Sequence, residues 1–263
     1  DLIVAPHGAR VKDIMYEDVI FAQANDDQEE VARKIQKYDL LAIPVVDDEQ
    51  RLVGIITHDD AMDILQQEQQ EDVEKLMAIG GSHEVGVYTK LSTWEHFKSR
   101  IPWILVLALM GFVSGFIIQS YEAILLEVAI LASFMPMLTG TGGNAGSQSA
   151  TLVIRALAVK EITVKDAFKV LLKEFGVAFL MSLVLATIAY LRVMVFYGNT
   201  PALNHVTPQA VGLAIALALA LQVIVSTLLG ALLPLVATSV NIDPAVVASP
   251  LLATMVDIFG LLI

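Results

Sequence analysis

The chain has 263 residues, is 56% hydrophobic and carries a formal charge of −12, with a mean hydropathy of +0.68. Soluble domains sit near about 45–50% apolar, so part of this chain belongs in lipid. The acidic balance excludes nucleic acid as a partner, because phosphates would be repelled, and the absence of cysteine excludes disulfides and thiolate metal sites.

The charge is unevenly divided. Residues 1–100 hold 10 Lys/Arg and 21 Asp/Glu, whereas residues 101–263 hold 6 and 7. An acidic, water-soluble first part therefore precedes an almost uncharged, lipid-soluble second part. Asp1–Pro6 has no basic stretch followed by a long apolar run, so no secretory signal opens the chain. The absence of an initiator Met and the apolar finish at Leu261–Ile263 read as cuts through a longer protein, the second inside a fifth span.

In chain order, Val19–Ala22 reads as a short strand. Asn25 or Asp26 is placed to cap a helix carrying Val31, Ile35 and Tyr38 at helical spacing. Leu41–Val46 and Leu52–Thr57 read as strands joined by the polar turn Asp47-Asp48-Glu49-Gln50, and a helix starts at His58. This small α/β unit, with Val11-Lys12-Asp13-Ile14-Met15, Ile43-Pro44-Val45-Val46-Asp47 and Leu52 through Asp60, resembles a cystathionine-β-synthase (CBS) domain. Such modules pair in tandem and act as ligand-sensing regulators, and the resemblance implies that residues 1–9 end a preceding module while 10–78 form the present one. Gly54 through Asp60 also fits the Gly-x-x-Thr-x-x-Asp pattern that holds a nucleotide ribose in some members, which would assign ATP to Thr57 and Asp60. A turn glycine and a helix-capping threonine explain the same residues.

The helix from His58 continues to Ala78 and is acidic. Asp60, Asp63, Glu68, Glu71, Asp72 and Glu74 recur at spacings that bring carboxylates onto neighbouring turns, where like charges repel. Divalent-ion binding and a solvated face both account for this surface. Gly80-Gly81 breaks the helix, and residues 79–100 read as a connecting segment. Within it Glu84–Arg100 is an amphipathic helix, with Val87, Leu91, Trp94 and Phe97 on one side and Trp94, Lys98 and Arg100 suited to a membrane boundary.

Residues 101–263 form an α-helical polytopic domain of five expected spans: Ile101–Gln119, about 123–158 with an interruption at Gly140–Gly146, about 171–196, about 210–240, and a fifth from Pro244. Lys98 and Arg100 precede the first, and Arg155, Lys160, Lys165, Lys169 and Lys173 lie between the second and third. This placement puts the amino terminus in the cytoplasm.

Four glycines between Gly140 and Gly146 disfavour a regular lipid-facing helix. Open backbone survives at membrane depth only in protein or along a wet cavity. Asn144, Gln148, Thr151 and Arg155 then form a polar stripe suited to a hydrated cation. Close helix packing through glycine is the competing explanation, and it leaves the stripe unexplained. Asp257 lies deep in apolar sequence, where a carboxylate costs roughly 2.5–3.5 kcal/mol on insertion scales and marks an ion path; a structural pair with Arg155 is the alternative. Ser249, Ala253, Asp257 and Gly260 fall on one face. His7, His58, His83, His96 and His205 all lie outside the spans. The path therefore offers oxygen ligands alone, which select magnesium, calcium or manganese over zinc or copper. Magnesium keeps much of its water and needs few carboxylates.

The run Pro136–Gln148, of the form Pro-x-x-x-Gly-x-Gly-Gly-Asn-x-Gly-x-Gln, followed by Ser149–Ala158, resembles the MgtE family of magnesium channels and transporters. So do Asp243-Pro244-Ala245, Ser249-Pro250-Leu251 and Asp257-x-x-Gly260. The resemblance implies a homodimer in the plasma membrane, its pore lined by the second and fifth spans of both subunits. Magnesium is then both cargo and regulator. Asp257 would bind the hydrated ion, with Asn144, Gly140, Gly143, Gln148, Ser249 and Gly260 around it. Asp59, Asp60, Asp63, Glu68, Glu71, Asp72 and Asp243 match acidic gating positions. Ser249 departs from the Asn usual there. Transport of other divalent cations (manganese, calcium, cobalt) and ion-coupled secondary transport are the alternatives. A CBS-bearing intramembrane metalloprotease would need a His-Glu-x-x-His helix, which the sequence lacks, so no enzyme activity is expected.

Overall fold

The computed structural model describes residues 6–8, 10–15, 18–80, 88–198, 206–245 and 250–263, with the backbone alone at Asp13. The chain divides into two compact units, residues 1–71 and 72–263.

The first unit begins with a single turn, α1 (Val11–Ile14). A three-stranded sheet follows in the order β1 (Ala22–Gln23), β2 (Ala42–Val46), β3 (Leu52–Thr57). Strands β1 and β2 are parallel, β2 and β3 antiparallel, with a register irregularity at Val45/Val46. Helix α2 (Gln28–Lys37) starts one residue later than the sequence indicates: Asp27, not Asn25 or Asp26, accepts the amides of Glu29 and Glu30. Asp26 instead accepts the amide of Gln23 and pairs with Lys34. Val31, Ala32 and Ile35 of α2 close onto Ala22, Ile43 and Ala61 as one apolar core. Tyr38 is not part of it; it lies at the helix C-cap and is exposed. Leu52, Val53 and Ile55 of β3 are also exposed. Helix α3 runs unbroken from His58 to Leu76.

In the second unit, helix α4 (Thr93–Ser120) corrects the expectation of an amphipathic connector followed by a separate span. One helix carries the end of the amphipathic stretch, from Thr93, and the whole span. Its start is fixed by a capping box: Ser92 Oγ accepts the Glu95 amide at 3.3 Å, and the Glu95 carboxylate accepts the Ser92 amide at 2.7 Å. Trp94 stacks on Phe97 and Lys98 lies over the Trp94 ring. Residues 88–90 form a turn, and Glu84 and Val87 lie outside the described residues.

The second expected span is interrupted, but not at its glycines. It divides at Val128 into α5 (Glu122–Glu127), a 3-10 segment (Ala129–Phe134) and the long helix α6 (Met135–Ala158). Pro136 explains the break, since it has no N–H and its ring would clash with a helical carbonyl four residues before it. Gly140 through Gly146 are regular helix. Helices α7 (Ala167–Tyr197), α8 (Pro208–Ser239) and α9 (Pro250–Leu262) complete the unit. Among the described residues, three helical segments are long and apolar enough to cross a bilayer: α4, residues 164–197 with α7, and α8. Helix α6 has the length but carries polar residues, and α9 has 13 residues.

Helix α8 is the centre of this unit. It buries residues at a spacing of three to four from Val211 to Ala237, with α7 on one flank and α6 on the other. Contact with α6 is backbone to backbone. A Cβ at Gly230 would stand 2.1 Å from the Gly146 carbonyl oxygen, and one at Gly146 would stand 2.9 Å from that of Ser226. No such atom lies within 4 Å of a Cβ at Gly140 or Gly143. Gly230→Ala is therefore expected to destabilise the membrane domain by about 1–3 kcal/mol, the range for overpacking. Gly143→Ala should be stable or slightly stabilised, because alanine is the better helix former. Thermal melts of the two detergent-solubilised variants check the contrast, and equal melting temperatures would remove the seam's importance.

Candidate cation site

Helix α6 has two faces. Gly142, Ala145, Gly146, Ser149, Ala150 and Val153 are buried. At about 100° per residue the opposite face carries Gly140, Gly143, Asn144, Gln148, Thr151 and Arg155, none of them buried. The glycine run thus serves both faces: Gly142 and Gly146 admit α8, while Gly140 and Gly143 leave the outer face without side chains beside Asn144.

Helix α9 runs antiparallel to α6. A Cβ on Gly146 would touch Val256, Gly142 and Gly260 flank the same side chain of α8, and Ala150 shares a cluster with Leu252 and Val256. This register puts Asp257 at the level of Ala145, within a helical turn of Asn144. Asp257 is partly exposed, whereas Val256 beside it is fully buried. Arg155 lies ten residues further along α6, about 15 Å away along the axis, and no ion pair joins it to Asp257. Arg155 and Gln148 instead line a cavity of about 420 Å³ with Glu161, Lys173 and Glu174. Gly260 turns toward α8. Ser249 lies outside the described residues.

The sequence reading passed over Gln222 and Ser226. Both are fully buried in the middle of α8. Gln222 Nε2 donates to the Val256 carbonyl at 2.9 Å. Its Oε1 and the Ser226 hydroxyl have no hydrogen-bond partner among the described residues. The available signal was an amide interrupting a long apolar run at membrane depth.

The acidic candidates lie along α3. Asp59, Asp60, Asp63, Glu71 and Asp72 are exposed and Glu68 is partly so. Thr57 N donates to Asp60 Oδ2 at 3.1 Å, and the Thr57 hydroxyl donates to the same oxygen. These bonds satisfy the start of α3, so Thr57 and Asp60 are accounted for as a helix cap. Glu68 accepts from Gln28 Nε2 at 2.8 Å. Asp243 has two bonds of its own: Oδ1 accepts the Ala245 amide at 2.9 Å, and Oδ2 pairs with Lys75 Nζ at 3.2 Å. Among the described residues no three acidic or histidine side chains converge on a metal-sized site. Leu76, next to Lys75, packs against Ala150, Leu252 and Val256, so the end of α3 touches the same helices that carry Asn144 and Asp257.

These features define an α-helical membrane protein with a CBS module at its amino-terminal side. Residues 11–67 match the CBS domain, and residues 135–263 match the MgtE family, described as a divalent cation transporter. Over its whole length the chain is 42% identical to the magnesium transporter MgtE of Thermus thermophilus, 36% to that of Bacillus subtilis and 33% to that of Enterococcus faecalis. It covers 56%, 55% and 55% of those proteins, so it spans about half the length of the curated relatives it matches. The chain belongs to the MgtE family.

Asp243→Ala removes both the turn acceptor and the partner of Lys75. Loss of such an acceptor costs about 1 kcal/mol, and a half-exposed ion pair adds about 0–1 kcal/mol. Asp243→Asn keeps the acceptor and is expected to lose less. Thermal melts in detergent should order the melting temperatures wild type, Asn, Ala.

Proposed function

We propose that the protein of which this chain is part carries hydrated magnesium across the plasma membrane along a pathway between α6 and α9 of two copies, with Asp257 as the ion's main anionic contact. The carrying observation is the partly exposed Asp257 at the level of Asn144. The lone carboxylate with amide and hydroxyl neighbours favours a cation that retains its water. The likeness to magnesium transporters over the whole chain supports the same cargo. A homodimer follows from the polar face of α6: exposed Asn144 and Thr151 would be costly against lipid, and a second copy covers them. Five spans follow from the apolar segments, and an amino terminus in the cytoplasm from the Lys/Arg placement. Manganese, calcium or cobalt as alternative cargo, and coupling to a second ion, are decided by flux measurements under imposed gradients.

Asp257→Asn in the full-length protein is expected to reduce magnesium flux into proteoliposomes at least tenfold with dimerisation intact, an effect of about 1.4 kcal/mol or more. Wild-type flux at matched protein levels would end the assignment.

Regulation by magnesium rests on the carboxylates of α3 and on Asp243. An ion that binds the closed form better than the open one shifts the population toward it, and repulsion along α3 supplies that difference once the carboxylates are neutralised. ATP at Thr57 and Asp60 would have to share groups already bonded to each other. Neutralising Glu68, Glu71 and Asp72 together should raise the magnesium midpoint for protease protection of residues 70–100 by severalfold. An unchanged midpoint would leave the surface merely solvated.

A further inference from the structure

Gln222 is an unexpected residue for its place. Helix α8 is otherwise built there from leucine, alanine and valine, and Gln222 is fully buried. A buried amide is costly unless its groups are bonded, and only one end of this amide has a partner among the described residues: Nε2 donates to Val256 while Oε1 is unpaired. A leucine of similar size would pack with no such cost, so packing alone does not account for glutamine.

Its surroundings do account for it. A Cβ at Gly142 would stand 2.5 Å from Gln222 Nε2, and a Cβ at Gly260 would stand 2.7 Å from it. One glycine from α6 and one from α9 thus form the slot that the amide occupies. The amide is bonded to the carbonyl of the residue immediately before Asp257. Rotating α9 by one residue, about 100°, or sliding it by a few ångströms would break that bond and push α9 side chains into the slot. A single buried polar group between apolar helices fixes register in this way, at some cost in stability.

We infer that Gln222 is a positioning residue for ion binding: wedged between Gly142 and Gly260 and bonded to the Val256 carbonyl, it fixes the rotation and depth of α9 so that Asp257 faces the pathway at the level of Asn144. The inference rests on the reading of Asp257 as the ion's contact. Gln222 itself does not touch the ion. It acts on affinity and selectivity through the orientation of Asp257.

The test uses full-length protein in proteoliposomes, with half-saturating magnesium, maximal flux and calcium discrimination measured for Gln222→Leu and Gln222→Met. Both variants fill the slot without the hydrogen bond, and methionine's flexible chain keeps the test available if leucine does not fold. The expected result is a melting temperature equal to or above wild type, a half-saturating concentration raised about fivefold, the equivalent of one net hydrogen bond, and weakened discrimination against calcium. A lowered melting temperature or maximal flux with half-saturation and selectivity unchanged would make Gln222 purely structural and overturn the inference. Asp257→Asn in the same assay separates the two claims: if it keeps wild-type flux, the ion site itself is wrong; if it loses flux while both Gln222 variants keep wild-type half-saturation, the site stands and the positioning role falls.

Discussion

At Gly146 and Gly230 helices α6 and α8 meet backbone to backbone, with no side chain between them. The Gly146 carbonyl occupies the space where Gly230 would carry a Cβ, and the Ser226 carbonyl approaches Gly146 almost as closely. In lipid there is little hydrophobic drive between helices, and association depends on close van der Waals packing that small residues permit. The rest of the membrane unit depends on this seam. With α6 held there, its buried stripe packs on α8 and α9 and its opposite stripe stays open. Any bulk at the seam would move Asn144 and the glycines beside it.

Helix α9 packs into the unit through one face. It is held by Leu252, Val256 and Gly260 against α6 and α8 and by the hydrogen bond from Gln222. Asp257 therefore inherits its direction from its neighbours. Val256 is drawn inward, and the next side chain must leave the packed face. A carboxylate at this depth is costly against lipid, which is why the proposed function centres on it.

Toward the end of α3, Lys75 and Leu76 link the acidic helix to the membrane helices by two kinds of contact. Lys75 pairs with Asp243, and Leu76 packs against the cluster of Ala150, Leu252 and Val256. The pair is half-exposed and weak by itself.

Patterns in the sequence determined much of this protein. Apolar runs on either side of a polar turn located β2 and β3, and helical spacing of apolar residues located α2 and α3, within a residue or two. Asp257 stood out because a charge in apolar sequence needs a reason. The CBS module and the family were legible from short runs of residues. Other features were not legible. The glycine run read as a break because glycine is a poor helix former in water, yet at membrane depth each backbone group must be bonded and the glycines stay helical to let α8 approach. Helix α4 runs unbroken through Arg100 and Ile101, where composition had separated two stretches. Gln222 stood out only as an amide in an apolar run; its partners, Gly142 and Val256–Gly260, lie 80 and 34 or more residues away in the chain and could not be read from it. Local sequence decides which segments are helical and which residues are costly to bury. Which face of each helix is buried, and which carbonyl a lone amide meets, are decided only when distant segments come within an ångström or two of contact.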